Sequence, residues 1–195
     1  MRRLVVTEFL STDGVMEDPG GAGDFKHAGW SFKFDRGEDG DRFKVDELAA
    51  SDALLLGRVT YEGFAAAWPG RTDEAGFADK FNNMPKYVVS STLREPLEWT
   101  NSHLLQGDLV EEVNTLKEEE EEDGGDIAVH GSAQLVQALA DNDLVDAYHL
   151  MVFPIVLGAG KRLFGDTRDA MTLRLVEANP VGPDGVITMV YERAR

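Results

Sequence analysis

The chain has 195 residues and a strong negative charge, with 36 acidic against 19 basic side chains and a formal net charge of −17. This length can bury one good core, so a single domain over residues 1–195 is expected. A surface of this sign repels phosphate backbones and anionic membranes, which argues against nucleic acid and membrane partners. No cysteine is present, so disulfides, thiolate metal sites and thiol catalysis are excluded.

The acidity has two explanations: an ordinary acidic soluble protein, or adaptation to a salty (halophilic) cytoplasm whose ions screen the self-repulsion. No stretch approaches the ~20 apolar residues of a membrane-spanning helix. Glu8 interrupts the N-terminal apolar run, which therefore predicts a strand rather than a signal peptide. A cytoplasmic location is the expectation.

In the first half of the chain, an apolar run at residues 3–10 predicts a strand that ends in the turn signal S-T-D-G. The Gly- and Asp-rich stretch 17–42 contains several aromatic residues, which indicates an ordered functional loop rather than a linker. The next patterns predict a helix over 41–51, a buried strand over 53–56 and a helix over 58–68 that Pro69-Gly70 ends.

The second half repeats this alternation. The patterns predict strands at 87–89 and 103–105, a helix capped by Asp108 whose acidic end runs through 118–123, a strand at 127–129, a helix capped by Ser132, and strands at 144–154, 172–177 and 186–192. Strands separated by helices indicate an α/β fold with a mainly parallel central sheet and helices on both faces. The last two strands predict a C-terminal antiparallel hairpin.

Three predicted strand ends carry residues suited to phosphate. After the first, Gly57 permits close backbone approach, a helix N-terminus follows, and Arg58 adds a positive charge. The second strand end presents the hydroxyls of Ser90, Ser91 and Thr92. The third strand end presents the small residues Gly131, Ser132 and Ala133, on which a pyrophosphate could rest. The alternative to a phosphate site is a set of plain strand-to-helix turns, with Arg58 as a surface arginine. The absence of a full G-x-G-x-x-G or P-loop pattern argues against an ordinary Rossmann dehydrogenase or nucleotidase.

The ordered set FLSTDGVMEDPGG, LLLGRVTYEGF, KYVVSSTL, VHGSAQLVQAL and LVDAYHLMVFPIVLGAGKRLF resembles the family named after the C-terminal reductase domain of the riboflavin-biosynthesis deaminase/reductase. That family is related to dihydrofolate reductase, and the likeness covers Leu4 to Tyr191. It implies a dihydrofolate-reductase-like fold, a homodimer and NADPH as cofactor. By this resemblance Gly57, Arg58 and Thr60 meet the cofactor's phosphates, Ser90 and Ser91 approach its 2′-phosphate side, and Gly131, Ser132 and Ala133 its pyrophosphate.

Hydride transfer to a C=N or C=C bond also needs a proton source, for which carboxylates are the candidates. The resemblance to dihydrofolate reductases points to Asp41 or Asp46 on the helix before the G-R-x-T motif. Asp13 matches the aspartate of the riboflavin-pathway S-L-D-G motif, and Glu8 is a strand carboxylate that faces the same cleft in this reading. The alternative for Asp13 is that it only forms the Asp-Gly turn. The alternative for Asp41 and Asp46 is a solvated helix face.

Trp30, Phe34 and Trp68 are candidates for stacking a flat heterocycle, with a place in the core as the alternative. The four histidines lack the spacing of a metal site, so no metal is expected. Asp146-Ala147 replaces the family's Asp-Glu pair, no deaminase zinc signature is present, and the 17–42 loop is poor in the Lys and Arg of a ribose-phosphate site. These departures argue against riboflavin synthesis.

The sequence thus predicts an NADPH-dependent reductase of a small planar heterocycle, pteridine- or pyrimidine-like or another imine. The alternative is a non-catalytic NADPH-binding or sensing module of the same fold.

Overall fold

The computed structural model describes residues 1–118, 124–165 and 169–194. Within these ranges the strands are β1 (Leu4–Ser11), β2 (Ser51–Gly57), β3 (Lys86–Val89), β4 (Ser102–Leu105), β5 (Asp126–Val129), β6 (Ala147–Phe153), β7 (Leu173–Val181) and β8 (Val186–Arg193). The helices are α1 (Gly37–Ala50), α2 (Arg58–Ala67), α3 (Phe77–Asn83), α4 (Leu109–Glu118) and α5 (Ala133–Asp141), with a short 3-10 helix at Trp30–Lys33. None of the described helices is long and apolar enough to cross a membrane.

The strands form one sheet in the order β4-β3-β2-β5-β1-β6-β8-β7. Strands β1 to β6 are parallel to one another, whereas β8 is antiparallel to both β6 and β7. The predicted parallel sheet and its C-terminal antiparallel hairpin are therefore confirmed. Because parallel strands end at the same edge, this topology brings the turns after β1, β2, β3 and β5 to one side of the molecule.

Both faces of the sheet are covered, which explains the continuous apolar run in β2. Ala53 and Leu55 belong to the core cluster that α4 and α5 cover, and Leu54 and Leu56 belong to the cluster under α1 to α3. All four are fully buried. Burying a leucine side chain contributes about 1.5–3 kcal/mol, so a strand buried on both faces is strongly fixed in place.

Three of the differences between the observed and the predicted elements concern helices. Helix α1 begins at Gly37, four residues before the predicted start, so its first turns belong to the stretch predicted as a loop. Helix α3 was not predicted; the Asp73 carboxylate begins it by accepting the N–H groups of Phe77 and Ala78. Ser132 stands at the N-cap of α5 but makes no side-chain capping bond, which corrects the cap prediction.

Asp108 does act as the predicted cap of α4, since its carboxylate accepts the N–H groups of Val110 and Glu111. The predicted acidic extension of that helix falls on residues 119–123, which lie outside the described residues.

Candidate active site

The three predicted phosphate turns lie side by side, because β3, β2 and β5 are neighbours in the sheet. The N–H of Gly57 donates to the carbonyl of Gly131 at 3.0 Å, which joins two of the turns directly. A Cβ atom on Gly57 would stand 2.4 Å from the Oγ of Ser132. Only a glycine at 57 permits this approach without displacing the neighbouring turn.

Two helix N-termini open at these turns. Helix α2 begins directly after Gly57 and α5 directly after Ser132, and neither residue makes a side-chain capping bond. The first N–H groups of a helix have no intrahelical acceptor, and the helix dipole adds partial positive charge there. A pair of uncapped N-termini is a donor set that suits a pyrophosphate.

The polar side chains at these turns divide into two kinds. Ser90 is buried, and its Oγ accepts the backbone N–H of Thr92 at 3.2 Å, so it shapes the turn itself. Ser91 and Thr92 are exposed and open to a ligand. Arg58 is half-exposed, and its guanidinium holds the Glu62 carboxylate at 2.8 and 3.1 Å. The arginine is thus available near the start of α2, but an anion must compete with Glu62.

The turn at Gly131 lies close to the carboxyl group of Glu8 on β1. The φ of +95° at Gly131 favours glycine, and a Cβ atom there would lie 3.0 Å from Thr60 Oγ1 and 3.5 Å from Glu8 Oε1. Glu8 is only 7% exposed, and its Oε1 has no hydrogen-bond partner within the described ranges. Burial raises the pKa of Glu8 well above its usual value; the charge of Lys44 lowers this pKa and that of Glu47 raises it. The carboxyl group therefore keeps its proton at a higher pH than a surface glutamate does.

A second polar cluster is centred on Glu47 of α1, on the face of the sheet to which Thr7, the residue before Glu8, points. Thr7 donates its hydroxyl to Glu47 Oε2 at 2.9 Å, Lys44 forms an ion pair with the same oxygen, and His149 Nδ1 lies 3.2 Å from Oε1. Lys44 also donates to the Thr7 hydroxyl at 2.6 Å. Burial raises the pKa of Glu47, but Lys44 and His149 outweigh burial, and the resulting pKa lies below the ordinary value.

His130 completes this buried polar region. A cavity of about 20 Å³ lies between Thr7, Lys44, Glu47 and His130, enough for one water molecule. Burial is the main cause that lowers the pKa of His130 to about 3, so its imidazole is neutral at ordinary pH. Its ring packs against Phe64, with ring centroids 5.7 Å apart.

Asp13 and Asp41, two of the other predicted site carboxylates, make contacts that differ from those of Glu8. Asp13 accepts the Ser11 hydroxyl at 2.7 Å and the N–H groups of Leu157 and Gly158 at 3.1 and 2.9 Å. The Ser11 hydrogen bond is the largest cause that lowers its pKa to about 2. Asp13 thereby ties the first turn to the loop after β6. Asp41 is on the exposed side of α1, where it pairs with Arg36 at 2.7 Å.

The three candidate stacking aromatics lie in packed clusters. Trp30 is fully buried, donates its indole N–H to the carbonyl of Glu17 and packs edge-on against Phe153. Phe34 packs at the margin of the same cluster. Trp68, at the end of α2, contacts Phe81 with ring centroids 4.8 Å apart. These placements favour the core alternative over an open stacking surface.

Glu47, Lys44 and His149 were not identified from the sequence. Their only local signal is the spacing K-V-D-E, which places Lys44 and Glu47 three residues apart on one side of a helix. Among the described residues, no group of three or more His, Asp or Glu side chains could hold a metal ion.

A family model described as the RibD C-terminal domain matches residues 2–187. The chain belongs to this family. A curated relative, the uncharacterized protein YyaP of Bacillus subtilis, is 29% identical over 193 residues, which cover 97% of this chain and 94% of YyaP.

Solved structures share the fold. A putative riboflavin biosynthesis protein of Shewanella sp. PV-4 has a TM-score of 0.75 at 24% identity and covers 99% of both chains. Dihydrofolate reductase of Enterococcus faecalis, solved with NADP(H) and RAB-propyl, has a TM-score of 0.62 at 16% identity and covers 99% of this chain and 97% of its own. The predicted dihydrofolate-reductase-like fold is confirmed, and the family is of the reductase type.

Proposed function

We propose that the protein is an NADPH-dependent reductase that transfers hydride to a small planar heterocycle, pteridine- or pyrimidine-like or another imine. The observation that carries the proposal is Glu8: a buried carboxyl group with an unpartnered oxygen, set against the glycine turn at Gly131. Membership of a reductase-type family and the NADP(H) complex of a structural neighbour support it.

The residues at the carboxyl edge fit NADPH. The close approach at Gly57, the positive φ of Gly131 and the two uncapped helix N-termini leave backbone donors for a pyrophosphate. Arg58 and the exposed hydroxyl of Ser91 supply donors for a further phosphate. Bound NADPH would supply the hydride; the proton must come from the protein or from water.

Glu8 is the group we assign to hold that proton. Reduction of a C=N bond leaves electrons on nitrogen, which a neighbouring acid must protonate. Burial raises the pKa of Glu8 well above its ordinary value, which favours the neutral carboxyl group that can donate a proton. Asp13, with a pKa of about 2, is ionised at neutral pH. Roles for Asp13 and Asp41 in catalysis stay predictions, as do stacking roles for Trp30, Phe34 and Trp68.

The test is cofactor oxidation, followed by NADPH absorbance, with a panel of dihydropteridines, aminopyrimidinones and cyclic imines. Glu8→Gln keeps the size of the side chain and removes the acid, so turnover should fall about 10²-fold. NADPH affinity should stay within a few-fold, because the phosphate turns are untouched. Glu38→Gln, an exposed residue of α1, is the matched control. Full turnover in Glu8→Gln contradicts the assignment of Glu8.

The alternative function, a non-catalytic NADPH-binding or sensing module, gives a different result. It predicts tight NADPH binding in calorimetry with no cofactor oxidation by any member of the panel. Glu8→Gln would then leave NADPH affinity unchanged, and neither protein would oxidise the cofactor.

We also propose a homodimer formed through the C-terminal hairpin. Strand β7 is at the edge of the sheet, and Leu175 and Val176 on it are 51% and 48% exposed, with Ile187 of β8 at 40%. An edge strand with exposed apolar side chains is a ready site for self-association. Salt screens the net charge of −17, so light scattering should show a dimer that strengthens as salt rises. A monomer at every salt concentration contradicts this.

A further inference from the structure

The turn after β3 leaves the sheet directly beside the start of α2. Gly57 pairs with Val89 in the parallel register of β2 and β3. The residues that follow them, Arg58 and Ser90, therefore emerge next to each other at the carboxyl edge of the sheet. A phosphate bound at this point of the edge would meet both the first turn of α2 and the turn at residues 90–94.

Side-chain hydrogen bonds give the turn at residues 90–94 a fixed shape. The Oγ atom of Ser90 accepts the backbone N–H groups of Thr92 and Leu93 at 3.2 and 3.1 Å. The side-chain amide of Gln106 donates to the carbonyl oxygens of Ser90 and Leu93 at 3.1 and 3.4 Å. Ser91 takes no part in these bonds and is exposed on the turn. The turn is therefore shaped before any ligand binds.

Arg94 is held on this turn by neutral groups. Its Nη1 atom donates to the carbonyl oxygens of Ser91 and Leu93 at 3.2 and 2.8 Å, and its side chain is exposed. Carbonyl oxygens fix the position of a guanidinium group but leave its positive charge uncompensated. Both bonds use Nη1, and no described residue accepts a hydrogen bond from Nη2 or Nε. These two nitrogens are thus open to an acceptor on a bound molecule.

The acidic side chains near the two turns leave Arg94 and Arg58 in different states. Both carboxylate oxygens of Glu95 accept backbone N–H groups further along the chain, at 3.2 and 2.9 Å. Within the described ranges Arg94 forms no ion pair, whereas the guanidinium of Arg58 is held by the Glu62 carboxylate at 2.8 and 3.1 Å. An anion must displace Glu62 to reach Arg58, but it reaches Arg94 without breaking an ion pair.

We propose that Arg94 is the residue that selects NADPH over NADH, by binding the 2′-phosphate of the cofactor beside the hydroxyl group of Ser91. The role rests on the proposed function, which makes NADPH the cofactor. A hydrogen bond from a guanidinium to a phosphate is about twice as strong as one between neutral groups. In a chain with a net charge of −17, a phosphate also needs a local positive charge to offset the repulsion from the rest of the surface. Arg58 contributes less, because Glu62 competes for it.

The test is titration calorimetry of the full-length protein with two pairs of ligands, NADPH with NADH and 2′,5′-ADP with 5′-AMP. The members of each pair differ only in the 2′-phosphate. Arg94→Gln keeps an amide that can donate to the turn carbonyls and removes the charge. It should lower the affinity for NADPH and 2′,5′-ADP about 10-fold and leave that for NADH and 5′-AMP within about two-fold.

Three further variants complete this experiment. Arg94→Lys keeps the charge and should retain most of the preference for NADPH. Arg58→Gln should lower NADPH affinity by only about three-fold, because Glu62 already engages that arginine. Arg71→Gln is the matched control: Arg71 is an exposed arginine whose guanidinium lies 5.0 Å from the centre of the Trp68 ring, and its loss should change none of the four affinities.

A merely structural role for Arg94 would lower the affinities for NADPH and NADH equally, and that result overturns the proposal. So does an unchanged NADPH affinity in Arg94→Gln, a loss in Arg94→Lys as large as in Arg94→Gln, or a larger loss in Arg58→Gln. A wild-type protein that binds NADPH but oxidises it with no substrate defeats the proposed reaction, while calorimetry still decides the role of Arg94. A wild-type protein that binds neither NADPH nor 2′,5′-ADP overturns both.

Discussion

The substitution Gly57→Ala isolates the contact between two of the phosphate turns. The backbone at Gly57 has φ −77° and ψ 158°, which alanine adopts freely, so no backbone strain is introduced. The added Cβ would stand 2.4 Å from Ser132 Oγ and 3.0 Å from both the Cβ and the backbone N of Ser132. Overpacking of this kind costs about 1–3 kcal/mol.

The expected result has two parts. The free energy of unfolding, measured in urea, should fall by about 1–3 kcal/mol. NADPH affinity in titration calorimetry should fall at least ~10-fold, because the turn after β2 and the start of α5 must separate.

Two controls sharpen this result. Gly63→Ala is in helix α2 with nothing within 4 Å of the new atom, so it should stabilise the protein by about 0.5–1 kcal/mol. Adding Ser132→Gly to Gly57→Ala removes two of the three close atoms and should restore part of both losses. Wild-type stability and affinity in Gly57→Ala would refute the reasoning, as would a double variant no better than the single one.

Three further predictions concern single side chains. In calorimetry NADPH should bind at least ~10-fold more tightly than NADH, and Arg58→Ala should reduce this ratio of affinities. An unchanged ratio would mean that Arg58 does not contact the additional phosphate of NADPH. Lys86 is fully buried and donates to the carbonyls of Phe81, Asn82 and Met84. Lys86→Met leaves these carbonyls without a donor, so the free energy of unfolding, measured in urea, should fall by about 2–4 kcal/mol. A change below about 0.5 kcal/mol contradicts this prediction. Asp13 has a folded pKa of about 2, below the ordinary 3.8, so its stabilisation is present above pH ~4 and is lost as the pH falls toward 2. Asp13→Asn should therefore be less stable than the wild type by about 1 kcal/mol at pH 7, with a difference that shrinks below pH 4; a pH-independent difference contradicts the role of the charge.

The parallel sheet could be read from the sequence because its signals are local. Strand β2 is a continuous apolar run that ends in Gly57, and the chain enters α2 at the next residue. A related pattern recurs where β5 leads into α5 through His130, Gly131 and Ser132. Such strand-to-helix turns require only that both faces of the strand be buried, which the run of residue types already shows.

Short or weakly amphipathic elements could not be read in the same way. Helix α3 has seven residues, and its start depends on the Asp73 carboxylate rather than on a periodic apolar stripe. Helix α1 begins at Gly37 among residues typical of a loop, and it is stabilised by what it covers. In both cases tertiary packing outweighs local propensity.

The sequence by itself therefore determined the fold, the turns at Gly57 and Gly131, and the presence of Glu8 as a candidate carboxylate. Only the tertiary structure distinguished the carboxylates from one another, because their chemistry depends on burial and partners. Asp13 is held by N–H groups more than 140 residues away in the chain, at 157 and 158. Glu47 meets Thr7 and His149, which the sheet brings together from distant parts of the sequence. A pKa is set by such long-range neighbours, and no local pattern of residues records them.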